Sequence, residues 1–450
     1  MNKLLLVTYH YPPSTAVGGM RPAKFARYLP EWGWEPTVLT VLPPDTAASP
    51  SQEETANIYR VAEWPHPLKS LESFKVRQLR RRGRESEITR RMHGSHAQAM
   101  APSRTGLAGL KLWIISFLWL PDRETGWLIP AVYRGLRLIR QKNISHVVTT
   151  APPFTCHLIG LLLKRFTGVH WVADFRDPWS LSHKPALIRN RLTDALETRL
   201  IGFVIRQADL VLSVTQPMTE DVRREHPDVA PGKFLTLTNG FDASEFEEFR
   251  DSAVLRPSPP PVVFSYLGTF YYGRSPEPFL RAMRSLLDDG SVKPDTVLIK
   301  FTGNVGMAEG QSVEEMVLRY RLEKVVSIEP LVPRRAALRQ TLQSHVILVL
   351  TEQHAHALTF KVFEALASGA MILGIGGSGA VSNLLTRTGR GISVHPASLQ
   401  EIREGILECI RRSRASAIQR EPWLDPAIQE FSFRNLTGRL AEALGALGTA

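Results

Sequence analysis

The chain has 450 residues, of which 43% are hydrophobic and 22% are charged. Because one core rarely serves more than about 250 residues, this length predicts two or three domains, each with a core of its own. The 55 basic and 43 acidic residues give a net charge of +12, which favours anionic partners such as phosphorylated small molecules, nucleic acid or acidic lipid headgroups. Two distant cysteines, Cys156 and Cys409, argue against a disulfide framework and indicate a reducing, cytoplasmic compartment.

The first half of the chain alternates strand and helix patterns. Lys3 to Thr8 form an apolar run of strand length, and a loop with Pro and Gly leads to a helix predicted from about Pro22 to Leu29. Further strands are predicted at 36–41, 146–150, 170–175, 210–214 and 234–237, with helices at 157–166 and 187–206. This alternation predicts a parallel sheet.

The alternation starts again after a proline-rich linker at 256–261. Strands are predicted at 261–268, 296–303, 325–330, 345–352, 371–376 and 391–396, with a helix in each of the five gaps. The pattern predicts an α/β fold of two doubly wound, Rossmann-like domains, whose strand ends would face a central cleft. The predicted domains are 1–250 and 259–425, followed at 426–450 by a C-terminal helix that would pack back on the first domain.

One segment, about 45–125, breaks the alternation. Its residues 75–91 carry eight basic and two acidic side chains, a pattern typical of a solvated helix face or a mobile loop. Residues 106–120 are apolar on nearly all sides, with Lys111 as their only charge. Since a bilayer-spanning helix needs ~20 apolar residues, these 15 indicate either a buried core helix or a helix lying in the membrane interface beside the neighbouring cations.

Two glycine-containing loops are candidate anion sites. Gly18 and Gly19 come just before the first helix, where a ligand could approach the backbone and meet free N–H groups. A plain turn explains the pair equally well, and its spacing fits neither the dinucleotide fingerprint nor a P-loop. In the second half, Arg274 follows Gly273 after a predicted strand and could bind a diphosphate, although a surface arginine needs no such role.

The helix expected at about 359–368 carries a further pair of charges. Glu364 suits a helix start, but the positive end of the helix dipole gives Lys361 no stabilisation. A cation there indicates an anionic ligand, and a carboxylate one turn later is suited to bind a pair of sugar hydroxyls. Both side chains would then belong to one nucleotide site.

Several stretches together resemble family 4 glycosyltransferases of the GT-B fold over nearly the whole chain. They read, in order, LLLVTYHYPPSTAVGGMRPAKFARYLPEWGWEPTVLT, LPDRETGW, TTAPPFTCHLIGLLLK, VADFRDPWS, LTNGFD, YLGTFYYGR and TFKVFEALASGAMIL. The resemblance implies a retaining, metal-independent transfer of a sugar from a nucleotide-diphosphate donor, without any cofactor. The second domain would hold the donor and the first the acceptor, with Gly18 and Gly19 near the donor phosphates.

The sequence departs from the family pattern at two positions. Such enzymes usually have Gly-Arg after the first strand of the second domain, with a Lys five positions after that Arg. This chain has Gly268 and Thr269 and then Arg274, so Lys361 is the expected replacement for the missing cation. Of the family's two glutamates, the later one, which binds the ribose, matches Glu364.

The earlier glutamate of the family contacts the donor sugar, and it falls on His356 in this chain. Neutral imidazole can still bond a hydroxyl, and Glu352 lies close by in sequence and could compensate. The two histidines of this loop have no further ligands at metal spacing. No Asp-x-Asp triplet occurs anywhere in the chain, so no metal site is predicted.

In the first domain, Asp177 follows a strand end and could orient or deprotonate an acceptor hydroxyl, although Asp-Pro is equally a turn starter. His157 opens a helix from which it could reach the sugar, or it could be structural.

The combined patterns predict a bacterial-type glycosyltransferase at the inner face of the cytoplasmic membrane, which adds a sugar to a polysaccharide or lipid-linked acceptor. A nucleotide-sugar epimerase of the same fold and a catalytically silent subunit or binding module remain alternatives. Nucleic acid is not expected as a partner, because no helix-turn-helix, RRM or zinc-finger pattern occurs. The donor's sugar and base, the acceptor and the oligomeric state stay open.

Overall fold

The computed structural model divides the chain into two compact units. The first comprises Met1–Val214, Met218–Leu237 and Thr437–Ala450, and the second Thr215–Pro217 and Thr238–Leu436. The structure describes residues 1–14, 16–43, 57–71, 106–179, 188–250, 260–270, 273–351, 356, 358–415 and 421–448. The basic run 75–91, most of the proline-rich linker and Glu352 lie outside these residues.

A parallel sheet of seven strands forms the first unit, in the order β3-β2-β1-β4-β5-β6-β7. The strands are β1 Asn2–Val7, β2 Trp34–Val41, β3 Ile58–Val61, β4 His146–Ala151, β5 His170–Phe175, β6 Leu210–Ser213 and β7 Phe234–Thr236. Its helices are α1 Met20–Tyr28, α2 Gly106–Leu118, α3 Leu128–Lys142, α4 Thr155–Thr167, α5 Arg191–Gln207 and α6 Gln216–Glu225.

The second unit contains a parallel sheet of six strands in the order β12-β9-β8-β13-β14-β15, and a two-stranded hairpin, β10-β11. The strands are β8 Val262–Thr269, β9 Val297–Asn304, β10 Met307–Ala308, β11 Gln311–Ser312, β12 Val326–Glu329, β13 Val346–Leu350, β14 Met371–Ile375 and β15 Gly391–Val394. The helices are α7 Ala243–Glu247, α8 Glu277–Asp288, α9 Val313–Arg319, α10 Arg334–Gln343, α11 Phe360–Ser368, α12 Ala380–Thr388 and α13 Leu399–Ala415. A last helix, α14 Phe433–Leu447, begins in the second unit and belongs to the first from Thr437 on.

The predicted α/β fold of two doubly wound parallel sheets is confirmed, and a helix occupies each of the five gaps between the six main strands of the second unit. Strand β13 has a continuously apolar sequence because both of its faces are buried. Val346, Leu348 and Leu350 pack into the core on one face of the sheet, while Ile347 and Val349 pack into the core on the other. A central parallel strand must be apolar on both sides because helices cover both faces.

The segment 45–125 contains a strand that its sequence pattern did not reveal. The sequence Ile-Tyr-Arg-Val at β3 adds an edge strand beside β2, with all four residues half-buried. An edge strand of this length lacks the apolar run that identified its neighbours.

Helix α2 confirms the predicted helix at 106–120, and it is partly buried. Ser116 is buried and its hydroxyl bonds that of Thr193 at 2.7 Å, whereas Leu110, Trp113 and Ile114 are 54%, 46% and 47% exposed. No helix in the described part of the chain has both the length and the apolar content that a bilayer crossing requires.

A buried ion pair ties α1 to the sheet of the first unit. Arg21 donates from Nε and Nη2 to the two carboxylate oxygens of Asp174 in β5, each at 2.9 Å, and both side chains are almost without exposure. Thr150 donates to the same carboxylate at 2.9 Å, and Arg21 also donates to the carbonyl oxygen of Leu237 at 2.8 Å. The start of α1 is therefore fixed at the carboxyl end of β5.

Removing one charge of this pair should strongly destabilise the first unit. We expect Asp174→Ala to lower its free energy of unfolding by about 3–5 kcal/mol, because Arg21 would stay buried without its counter-ion. Urea unfolding followed by tryptophan fluorescence measures the change. The double variant Arg21→Met/Asp174→Ala should recover part of the loss, since no charge is then left unpaired.

The exposed ion pair of Arg206 and Asp228 provides the control. Asp228→Ala should leave the urea midpoint unchanged, because water solvates both charges. Equal midpoints for Asp174→Ala and Asp228→Ala would contradict the importance of the buried pair.

Candidate functional site

The first strand of the second unit ends at a close contact between two backbones. Gly268 in β8 pairs with Gly303 in β9, and both have positive φ angles, +151° and +124°. A Cβ atom on Gly303 would lie 2.1 Å from the carbonyl oxygen of Gly268, so no side chain fits between the strands. Because these glycines have no side chains, the backbone at the carboxyl end of β8 is uncovered beside the start of α11.

Lys361 extends its ammonium group onto this bare backbone. A Cβ atom on Gly268 would lie 2.0 Å from Lys361 Nζ, so the ammonium occupies the space that the glycine leaves. The residue as a whole is exposed, yet desolvation lowers the pKa of its amine. The charge of Arg274 lowers this pKa further, and that of Glu364 opposes both effects.

Glu364 lies one turn later on α11, and its side chain is only 13% exposed. Its Oε1 forms an ion pair with Nη1 of Arg334 at 2.9 Å, and Nη2 of Arg334 donates to Oε2 of Glu245 at 2.5 Å. Despite partial burial, these two carboxylates raise the pKa of Arg334. Three elements, α7, α10 and α11, thus meet in one charged network.

The loop after β8 is fixed close to Arg274. The N–H of Gly273 donates to Oε1 of Glu309 at 3.1 Å, and Tyr266 donates its hydroxyl to the carbonyl of Thr269 at 2.8 Å. Arg274 is half-buried and lies close enough to Lys361 to influence its titration. Lys361 thus lies against Gly268, and Arg274 and Glu364 lie close enough to it to affect its titration, while the ligand roles of all four residues stay predictions.

His356 is exposed and precedes α11, but residues 352–355 and 357 lie outside the described ranges, so Glu352 has no assigned position. The start of α11 itself has no side-chain cap: Thr359 is the N-cap residue and its hydroxyl accepts no backbone N–H. Free N–H groups and the positive dipole end therefore add to the two cations as attractions for an anion.

In the first unit, Arg176 holds the glycine turn at the start of α1. Its Nη1 donates to the carbonyl oxygen of Gly18 at 2.8 Å, its Nε donates to Ala151 at 3.2 Å, and its Nη2 also donates to Pro152. A Cβ atom on Gly18 would lie 2.8 Å from the guanidinium. Gly19 is also tightly packed, since its Cβ would lie 3.2 Å from the backbone of His10. A side chain at either position would force its neighbours to move.

His157 and Asp177 occupy opposite environments. His157 is fully buried among four aromatic rings, those of Phe154, Trp171, Phe175 and Trp179, and its Nδ1 lies 2.8 Å from Thr149 Oγ1. Burial lowers its pKa to about 3, so the ring is neutral at physiological pH. Asp177 is exposed, next to the guanidinium of Arg176.

Sequence reasoning missed several residues that shape these sites. Arg21 and Asp174 position the glycine turn, and Arg334 with Glu245 positions Glu364. Asp174 had a signal in the sequence, because an aspartate in the apolar strand His-Trp-Val-Ala-Asp-Phe needs a buried partner. In the described part of the chain, no group of three or more His, Cys, Asp or Glu side chains is arranged to hold a metal ion.

Comparison with protein-family models and with curated proteins finds no match. Solved structures do match along the whole chain. Sucrose-phosphate synthase from Thermosynechococcus elongatus has a TM-score of 0.65 at 13% identity, covering 100% of both chains. Anabaena HepE in complex with UDP has a TM-score of 0.61 at 14% identity, covering 99% of this chain and 100% of that one.

HepE has also been solved with UDP-glucose and with UDP and glucose. A Listeria monocytogenes protein provisionally assigned as a UDP-N-acetylglucosamine 2-epimerase has a TM-score of 0.52 at 11% identity, covering 99% of this chain and 96% of that one. At these identities the likeness concerns the fold. The chain has the GT-B fold.

Proposed function

We propose that the chain is a glycosyltransferase that moves a sugar from a nucleotide-diphosphate sugar to a saccharide acceptor. The observation that carries the proposal is the position of Lys361, whose ammonium lies against the bare backbone of Gly268 with Arg274 nearby. Two neighbouring cations are stabilised when a multiply charged anion binds between them. The complexes of HepE with UDP and UDP-glucose support a nucleotide sugar as that anion.

In this proposal the second unit holds the donor. Arg274 and Lys361 neutralise the diphosphate and stabilise it as a leaving group while negative charge develops on it. Glu364 binds the ribose hydroxyls, for which a carboxylate is a suitable acceptor. Gly268 and Thr269 line the donor site, and His356 forms a hydrogen bond with a hydroxyl of the donor sugar.

The first unit holds the acceptor, and Gly18 and Gly19 are its candidate anion-binding turn. Asp177 is exposed and orients or deprotonates the acceptor hydroxyl. Thr149 Oγ1 lies 2.8 Å from Nδ1 of His157, accepts from Trp171 Nε1 at 2.9 Å and donates to the carbonyl oxygen of Val172 at 3.4 Å. The neutral imidazole is buried and its Nε2 has no hydrogen-bond partner among the described residues, which suits the structural role that the sequence left open for His157.

Retention of configuration is part of the proposal and rests on the resemblance to retaining family 4 enzymes. Metal independence is supported by the lack of any Asp-x-Asp triplet in the sequence. An epimerase of the same fold would release a changed nucleotide sugar, whereas a transferase releases free nucleoside diphosphate. Product analysis therefore separates these two, and donor turnover by purified protein excludes a silent binding module.

We also propose that α2 places the protein at an anionic membrane surface, with a polysaccharide or lipid-linked acceptor. Leu110, Trp113 and Ile114 are exposed, and Lys111 between them is exposed as well. An aromatic ring, aliphatic side chains and a cation on one helix suit the boundary between lipid headgroups and acyl chains. The chain's net charge of +12 supports an acidic lipid surface, such as that of the cytoplasmic leaflet.

Donor binding is tested by thermal shift with UDP, GDP, ADP and their glucose conjugates. A bound nucleotide at a hundredfold excess over its dissociation constant should stabilise the second unit by about 2.7 kcal/mol. Glu364→Ala should weaken binding about tenfold, since a hydrogen-bonded carboxylate is lost. The exposed Glu323 is the matched control, and Glu323→Ala should bind as the wild type does. No shift with any nucleotide would contradict the proposal.

The lowered pKa of Lys361 predicts a pH dependence of donor affinity. A phosphate anion prefers the protonated amine, so nucleotide affinity should hold below this pKa and fall as pH rises through it. The fall should begin at a lower pH than the ordinary lysine value of 10.5 would give. Lys361→Arg should remove this fall, because arginine stays charged.

Isothermal titration of ADP at successive pH values measures the effect. Because ADP itself titrates in the same way with either protein, the difference between the wild type and Lys361→Arg reports on Lys361. The same decline of affinity with pH in both proteins would exclude Lys361 from the anion site.

Membrane binding is tested by sedimentation with vesicles at low salt. The double variant Trp113→Ser/Ile114→Ser should reduce binding to anionic vesicles at least about tenfold, because two apolar side chains no longer enter the interface. Phe166→Ser/Phe203→Ser removes two exposed aromatic rings from other helices of the same unit and should have little effect. Binding that is absent in the wild type, or equal in both double variants, would contradict a membrane role for α2.

A further inference from the structure

Arg334 connects the candidate donor site to a part of the second unit to which no role has been given above. It is the first residue of α10, its side chain is 42% exposed, and its two terminal nitrogens bond different carboxylates. Nη1 meets Glu364 in α11 at 2.9 Å and Nη2 meets Glu245 in α7 at 2.5 Å. A planar guanidinium can hold two carboxylates in fixed directions, which an ammonium group does less well.

The spacing of Lys361 and Glu364 makes this contact important. They are three residues apart on α11, and opposite charges at this spacing on a helix normally attract each other. In the described structure they form no ion pair within 4 Å of each other. Lys361 extends to Gly268 instead, while Glu364 turns to Arg334.

An ion pair between Lys361 and Glu364 would disable the proposed site in two ways. The ammonium would be neutralised before any diphosphate arrived, and the carboxylate would be drawn away from the ribose. Because the two charges already interact across the helix turn, only a stronger competitor keeps the carboxylate in place. The competitor in this structure is Arg334, which also forms an ion pair with Glu245.

We propose that Arg334 is a positioning residue which, by holding Glu364, keeps that carboxylate from neutralising Lys361. Oε1 of Glu364 is paired with Arg334, and no hydrogen bond to Oε2 is found among the described residues. That second oxygen is the one offered to the ribose, and the ammonium of Lys361 stays available to the diphosphate. This inference rests on the proposed function.

The test uses Arg334→Gln with inorganic pyrophosphate and UDP as probes in isothermal titration. Arg334 itself touches neither probe in the proposal, yet both should bind about tenfold more weakly, because Glu364 would turn to Lys361. The double variant Arg334→Gln/Glu364→Gln should regain wild-type affinity for pyrophosphate but not for UDP. Pyrophosphate needs only the freed ammonium, whereas UDP also needs the carboxylate.

The pKa of Lys361, measured by NMR of the side-chain amine, gives a readout that needs no ligand. It should rise in Arg334→Gln, when Glu364 comes closer, and fall again in the double variant. Arg335 is the matched control, since it is the next residue on α10 and pairs with Glu248 at 3.1 Å. Arg335→Gln should change neither affinity nor pKa.

Two results would overturn the role of Arg334. One is an unchanged pKa of Lys361 in Arg334→Gln, and the other is a double variant that binds pyrophosphate no better than the single one. A wild type that binds neither probe would instead remove the proposed donor site, and the NMR measurement would still decide whether Arg334 holds Glu364 away from Lys361.

Discussion

The buried ion pair of Arg21 and Asp174 is the interaction on which the first unit's candidate site depends. Removing both charges from water costs several kcal/mol, and the pair is tolerable because four hydrogen bonds satisfy the two groups. Gly18 and Gly19 directly precede the helix that carries Arg21. The pair therefore fixes the glycine turn at the carboxyl end of β5, where Arg176 also binds it.

The second unit uses its charges in the opposite way. Arg274 and Lys361 lie close enough for one to lower the pKa of the other, at a helix start without a side-chain cap. Glu364 could relieve this repulsion by pairing with Lys361, but Arg334 holds it. The charges of Arg21 and Asp174 are thus fully paired and structural, while Arg274 and Lys361 are kept in an arrangement that an anion would complete.

The sequence predicted most of this architecture for a simple physical reason. Central parallel strands such as β13 are covered on both faces, so their sequences are continuously apolar and easy to recognise. Strand β3 is a short edge strand with half-buried residues, and it left no such pattern. Among charged residues, Lys361 was found because a cation at a helix start is unfavourable without a ligand.

What the sequence determined by itself is the class of fold and the order of the main strands and helices along the chain. What only the tertiary structure decided is which partner each charge takes. An arginine at a helix start, such as Arg334, reads as an ordinary surface residue, because its partners come from helices about 90 residues before it and 30 after it. The competition between ion pairs depends on distances in space, which sequence separation does not give.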